Sequence, residues 1–370
     1  MKNVLFINHE SWRTGAPLVL LSLLREIKRQ NPNKKLYVLE LKAGPISDEF
    51  KAVADVMTVD FSSRSGIKNI LPQRLVSHLN YRHYIKWLQR SGFELIYANT
   101  IASIPTAVKI KKLLNVPILA HIHEMEYTFR QYGVKKEIIQ QCDKFIAVSS
   151  PVVKTLNAYG IAFDKITVIP PFSDNLTAIN SIDKSFRING VKDGDFVVGL
   201  SGMGSWRKGT DLFPLIVKRF KEKYPNVKCK FVWVGYTDKA AIEYDAKMLN
   251  VWDYIILTGA VSNPMDYYNK FDIFVLTSRE DPFPLVCMEC AALAKPIILF
   301  DKGSGIVDLV RHGQSGLHVP YLDIYAMSDA IYTLYVDNKT KATLGNNLRN
   351  MLHASFEKDV SLNKIISFFR

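Results

Sequence analysis

At 370 residues, 48% hydrophobic and 22% charged, the chain has ordinary globular composition and length enough for two domains that each bury a core, which argues against wholesale disorder. Its net charge of +13 is uneven: residues 1–175 carry 24 Lys and Arg against 14 Asp and Glu, so the first half is the one suited to an anionic partner. Four cysteines with no CxxC…CxxC pair, and no apolar run near ~18 residues, argue against a disulfide scaffold, a metal ribbon and a membrane-spanning helix.

Asn3 to Asn8 predicts a buried strand and Leu18 to Lys28 an apolar-rich helix. Between them Thr14-Gly15-Ala16-Pro17 reads as a helix start, where glycine lets the backbone approach a ligand and proline suits the first turn. The short apolar run after Met1 is ended by Asn8 and His9, so no secretory leader is expected and a reducing, cytoplasmic setting fits the cysteine pattern. Further strands are predicted at Lys35–Leu41 and Val56–Asp60. Ser62 to Arg90 then holds Arg64, Lys68, Arg74, Arg82, Lys86 and Arg90 without one acid, interleaved with Tyr81, Tyr84 and Trp87. Such a helix suits an anionic membrane surface through residues 62–90, or equally a sheet-covering helix with a solvated basic face.

Strands are predicted at Leu95–Ala98 and Ile118–Ile122, with a helix at Pro105–Leu114 between them. The second strand runs into His121-Ile122-His123-Glu124, where alternation puts both histidines on one face and His123 nearest the carboxyl end. Ligands of open α/β sheets gather beyond that end, so His123 and Glu124 are site candidates, against the plain alternative of structural histidines. Phe145–Val148 and Ile166–Ile169 complete the first half, and Phe172 to Asp193 is polar enough for a linker.

The second half repeats the grammar. A strand at Phe196–Ser201 leads into Gly202-Met203-Gly204-Ser205-Trp206-Arg207-Lys208-Gly209 and a helix from about Asp211 to Lys223. Glycines beside two cations at a strand-to-helix turn are what a diphosphate needs, and the spacing is not that of a P-loop. Strands follow at Phe231–Gly235, Tyr254–Thr258, Ile273–Leu276 and Pro296–Phe300. After the third of these, Asp281-Pro282-Phe283-Pro284 breaks the chain before a helix from Leu285, leaving Asp281 and Glu289 flanking a helix start. Lys302-Gly303-Ser304-Gly305 makes one more glycine turn, and Phe356–Phe369 reads as a closing apolar helix. Two tandem α/β domains with ligand-facing turns imply a cleft between them.

In this order the motifs resemble the retaining glycosyltransferases of family 4, over nearly the whole chain. The family's first glycine turn matches Thr14 to Pro17, its histidine-ending strand matches PILAHIHE, and its strand–serine element matches CDKFIAVSS. Its Gly-Arg-Leu…Lys-Gly turn matches Gly202 to Gly209, its Glu-x7-Glu signature matches Asp281 to Glu289, and its later glycine turn matches Gly303 to Asp308. The resemblance implies the GT-B fold, two Rossmann-like α/β/α domains with a deep interdomain cleft. The acceptor-binding domain would span 1–172, a linker 173–193 and the donor-binding domain 194–355, with helix 356–370 returning to the first.

It also implies roles. Lys208 would bind the donor diphosphate, Glu289 the ribose hydroxyls and Asp281 the donor sugar, while backbone N–H groups around Phe283, Pro284, Leu285 and Val286 would meet phosphates or sugar. His123 and the Gly15 turn would come from the acceptor side. The signature departs from the family at Asp281, a shorter carboxylate, at Pro284, which lacks an N–H, and at Met203, where the family has arginine; Arg207 can restore that charge. The expected reaction is transfer of a hexosyl unit from a nucleoside diphosphate sugar to a saccharide or lipid-linked acceptor hydroxyl, with retention. Neither metal nor other cofactor is implied, and no nucleic-acid reader motif is present. A nucleotide-sugar epimerase on the same fold, or an inactive sugar-nucleotide-binding subunit, would share these motifs.

Overall fold

The computed structural model describes residues 1–59, 84–356 and 358–370. The basic segment 62–90 therefore lies outside the described residues except for 84–90. Those seven are helical; they place Trp87 against Tyr37 and Phe93, bury Leu88, and leave Lys86 and Arg90 exposed.

The chain divides into two compact units: Met1–Pro171 with Asp359–Arg370, and Phe172–Lys358. In the first unit the described strands are β1 (Val4–Asn8), β2 (Tyr37–Glu40), β3 (Asp55–Thr58), β4 (Leu95–Asn99), β5 (Ile118–Ile122), β6 (Lys144–Ala147) and β7 (Ile166–Val168). They form one parallel sheet in the order β3-β2-β1-β4-β5-β6-β7. β1, β4 and β5 are buried along their whole length because helices cover both faces, which is why they read as unbroken apolar runs rather than alternation. The helix Gly15–Gln30 begins at the glycine itself, three residues before the apolar stripe that signalled it, and buries Val19, Leu20, Leu23, Leu24 and Ile27.

The second unit holds β8 (Phe196–Ser201), β9 (Cys229–Val234), β10 (Ile255–Leu257), β11 (Ile273–Leu276), β12 (Ile297–Phe300) and β13 (Gly316–Val319). All pairs are parallel, in the order β10-β9-β8-β11-β12-β13. Within the unit this is the doubly wound order in which a sheet reverses direction between its first and fourth strands, here β8 and β11, and ligands bind beyond the carboxyl ends at that point. The core is aromatic: Phe213 and Phe220 of the helix Leu212–Lys223 pack on Trp233 and Phe231 of β9 at ring centroid distances of 5.7 and 5.5 Å. Each unit is thus a Rossmann-like α/β/α layer structure.

Two boundaries differ from expectation. Residues 173–193, expected as a linker, pack on the second unit: Asp183 N–H donates to Asp266 Oδ1 at 2.9 Å, and Phe186 stacks edge-on against Tyr267 at 4.6 Å. Polar composition suggested a free connection, but these polar groups find partners on a neighbouring helix. At the other end the closing helix is Lys358–Ser367, and Phe356 stays with the second unit, its ring 5.6 Å from that of Phe283. Among the described residues no helix is long and apolar enough to cross a membrane.

Candidate active site

In the second unit the chemistry gathers at the carboxyl ends of β8 and β11. After β8 the chain makes a short 3-10 turn, Trp206–Lys208, closed by Gly209. Gly209 has φ +69°, and a Cβ there would lie 2.2 Å from the Thr277 carbonyl oxygen, so only glycine lets this turn sit against the end of β11. Thr277 Oγ1 donates to Lys208 O at 2.8 Å, and Arg279 N–H donates to Arg207 O at 2.8 Å, fastening the two loops together.

That contact delivers both cations to Asp281. Lys208 Nζ is hydrogen-bonded to Asp281 Oδ2, and Arg207 Nη1 stands 3.8 Å from Oδ1 while donating to the Glu280 carbonyl at 2.7 Å. Asp281 is 5% exposed, accepts also from Ser278 Oγ at 3.3 Å, and is fixed by its backbone to Gly303 O and Gly305 N. The carboxylate expected at the donor sugar thus also holds the lysine in place. Gly303, with φ +89° and the Arg279 carbonyl 2.3 Å from where its Cβ would be, brings the third glycine turn onto the same edge.

The helix Leu285–Ala292 starts at Pro284 and is buried nearly all round, from Val286 to Ala292. An apolar helix with no solvent face is a core element, yet it carries Glu289. The Glu289 carboxylate, 5% exposed, accepts from Ser173 Oγ at 2.6 Å. Ser173 escaped sequence reasoning, since a serine in a polar stretch carries no signal of a partner 116 residues away. Phe283 and Val286 are buried; Cys287 N–H donates back to Pro284 O at 3.0 Å, and the N–H groups of Leu285 and Val286 precede the first intrahelical acceptor by geometry. Cys287 and Cys290 are buried thiols whose pKa values burial pushes well up; all four cysteines are unpaired. Among the described residues no group of three or more His, Cys, Asp or Glu is placed to hold a metal ion.

In the first unit the carboxyl ends of β1, β4 and β5 bring two histidines, His121 and His123, beside the carboxylates Glu10 and Glu124. His121 is buried with Nδ1 against Tyr97 Oη, and its ring lies 4.0 Å from that of His123. Burial first, and the nearby His9 second, lower the His123 pKa to about 3, so its imidazole is neutral. The Nε2 atoms of both histidines are buried and have no hydrogen-bond partner among the described residues. Glu124 accepts from the Ile101 and His123 N–H groups at 3.1 and 3.0 Å, a loop-bracing role. Thr100, with φ +95°, is in a conformation that costs a non-glycine residue energy, and its Oγ1 lies 3.0 Å from His9 Nδ1.

The Gly15 turn is pinned from behind. Asn99 Nδ2 donates to Ala16 O at 3.1 Å, and Asn8 reaches Ser11 Oγ at 3.1 Å. Buried Glu40 accepts from Ser11, from Ser47 at 2.6 Å and from Thr58 at 2.8 Å. A Cβ on Gly15 would meet nothing within 4 Å, so internal packing does not demand a glycine there. Glu40 was missed by sequence reasoning; its trace is an acid closing an otherwise apolar strand.

Residues 15–174 match the family described as Glycosyltransferase Family 4, and residues 181–351 match Glycosyl transferases group 1. Among curated relatives, the capsular polysaccharide biosynthesis glycosyltransferase CapM of Staphylococcus aureus is 26% identical over 57% of this chain and 52% of its own length. A D-inositol 3-phosphate glycosyltransferase of Pseudarthrobacter chlorophenolicus is 23% identical over 75% of this chain and 71% of its own. Among solved structures, Anabaena HepE in complex with UDP and glucose superposes with a TM-score of 0.80 at 18% identity, covering 100% of this chain and 99% of its own, a likeness of fold.

Proposed function

The chain belongs to the group 1 glycosyltransferases of GT-B fold, and on that premise we propose that it moves a hexosyl unit from a nucleoside diphosphate sugar to an acceptor hydroxyl, with retention at the anomeric carbon. The process served is assembly of a cell-surface polysaccharide or glycolipid, as the capsular relative's name suggests. The observation that carries this is the pair Arg207–Lys208, held by glycine geometry at the carboxyl end of β8 with Lys208 on buried Asp281.

The bond from the anomeric carbon to the diphosphate oxygen breaks, and the nucleoside diphosphate leaves with the electron pair. Its growing negative charge is met by Lys208, Arg207 and the start of the helix Leu285–Ala292, dipoles and charges already in place before reaction. An ammonium has three donors, so Lys208 can keep Asp281 and still reach a phosphate oxygen. In the retaining course the leaving phosphate accepts the acceptor's proton on the same face. Glu289, steadied by Ser173, takes the ribose hydroxyls, and His123, neutral at physiological pH, offers hydrogen bonding without charge. Positive charge from side chains makes the reaction independent of a metal ion, and turnover is expected to persist in a chelator.

Release of diphosphate from UDP-, GDP- and ADP-sugars, with and without saccharide or lipid-linked acceptors, tests this. HepE was solved with UDP and glucose, so UDP-glucose is the first donor to try. Isomerised donor sugar would identify an epimerase, and no release from any donor would identify a binding subunit. The basic surplus of residues 1–175 supports an anionic or membrane-borne acceptor. Binding is then expected to anionic vesicles, weakening with salt, and not to neutral ones.

A further inference from the structure

We infer that Arg279 is a positioning residue for the phosphate-binding turn, acting through Lys208 and Arg207 without touching the donor itself. This rests on the diphosphate role given to that turn above. The Arg279 guanidinium donates through Nη1 and Nη2 to the two carboxylate oxygens of Asp211, each at 2.7 Å, and Nη1 donates also to Trp206 O at 2.8 Å. Its plane lies over the Trp206 indole, 4.8 Å from the ring centroid, and its backbone N–H holds Arg207 O. One side chain therefore grips the turn on both sides of its two cations, at Trp206 before and Asp211 after. The fork is only 10% exposed although Asp211 is half exposed, so the pair is more than a loose surface contact.

The turn needs such a brace. Three residues of 3-10 helix supply few internal hydrogen bonds, and they must hold adjacent like charges toward one carboxylate. Only a planar fork can satisfy a carboxylate, a carbonyl and an aromatic face together; lysine keeps the charge and loses the geometry. Asp211 is also the residue before the helix Leu212–Lys223 and caps it with no hydrogen bond of its own side chain, which leaves the carboxylate to Arg279.

The test compares the full-length chain with its variants by titration with UDP, GDP and ADP, continuing with whichever the wild type binds most tightly and its parent nucleoside. Arg279→Ala and Arg279→Lys are both expected to weaken the diphosphate about tenfold, a loss of one charge-assisted contact, while nucleoside affinity stays the same. Asp211→Asn is expected to give a smaller loss of the same selectivity, and serves if the arginine variants fail to fold. In a Lys208→Met background Arg279→Ala is expected to cost little more, because coupled residues are not additive. Equal loss of nucleoside and diphosphate, full rescue by lysine, or additivity with Lys208→Met would each overturn the assignment. A wild type that binds none of the diphosphates would instead overturn the donor role, and this inference with it.

Discussion

The turn after β1 and the turn after β8 occupy the same place in two sheets built on one strand order, and both lead through glycine into a helix. Their chemistry is opposite. The first is braced by amides and hydroxyls, with Glu40 buried behind it among three hydroxyl donors, and burial holds nearby His121 and His123 in the neutral form. The second presents two cations on a buried carboxylate. A Rossmann-like layer supplies a ligand edge without specifying the ligand; side chains at the strand ends do that. The glycines differ too: Gly209 is demanded by the chain's own packing, and Gly15 is not.

The largest expected effect breaks the charged turn. Lys208→Met should lower donor turnover about 10²–10³-fold, as for loss of one preorganised transition-state donor. It should also cost about 3 kcal/mol in stability, because Asp281 is left buried without its ammonium partner. Adding Asp281→Asn should restore most of the melting temperature and none of the turnover. Recovery of both would make Lys208 a structural residue.

Gly209→Ala comes next. Strained φ and a clash with Thr277 O predict a stability loss of about 2–4 kcal/mol, read as a lower denaturant midpoint.

The histidines His121 and His123 of the first unit have their own signature in pH. His123 has a folded pKa of about 3, below its unfolded value near 6.5, and His121 is shifted in the same direction. The unfolded chain then binds more protons, so this stability is complete above pH ~6.5 and is lost as pH falls toward 3, by up to ~1.4 kcal/mol per pH unit for each histidine. Chemical denaturation between pH 7 and 4.5 should show the slope, and His123→Gln should flatten it. A pH-independent midpoint in the wild type would place both imidazoles in contact with water.

The smallest effect separates the two glycines. Gly15→Ala should change stability by no more than ~0.5 kcal/mol, the range of a substitution that meets no neighbour, while slowing transfer. A stability loss like that of Gly209→Ala would erase the contrast.

Much of the fold was legible in the chain. Strands buried on both faces left runs such as VLFIN, FVVGLS and IFVL, and glycines and prolines marked where each one ended. Less legible were β13, where GLHV interrupts its apolar run with a histidine, and the helices Ile324–Val336 and Asn338–Ser355, the second of which is too polar to announce a core face. In the site, Lys208, Arg207, Asp281 and Glu289 stood out because cations and carboxylates at strand-to-helix turns are local patterns. Arg279 and Asp211 did not, since a charged residue in a loop is ordinarily solvated and only its partner gives it meaning.

By itself the sequence determined the twice-repeated order of strand, glycine turn and helix, and the places where ligand chemistry could sit. These depend on hydrophobic periodicity and backbone punctuation, which act over a few residues. Tertiary structure alone decided which groups meet: Asp281 with Lys208 across 73 residues, Glu289 with Ser173 across 116, and residues 173–193 as part of the second unit rather than a free linker. Parallel strands joined by long crossovers bring distant loops to one edge, and a buried polar group then takes whichever partner the strand order sets beside it.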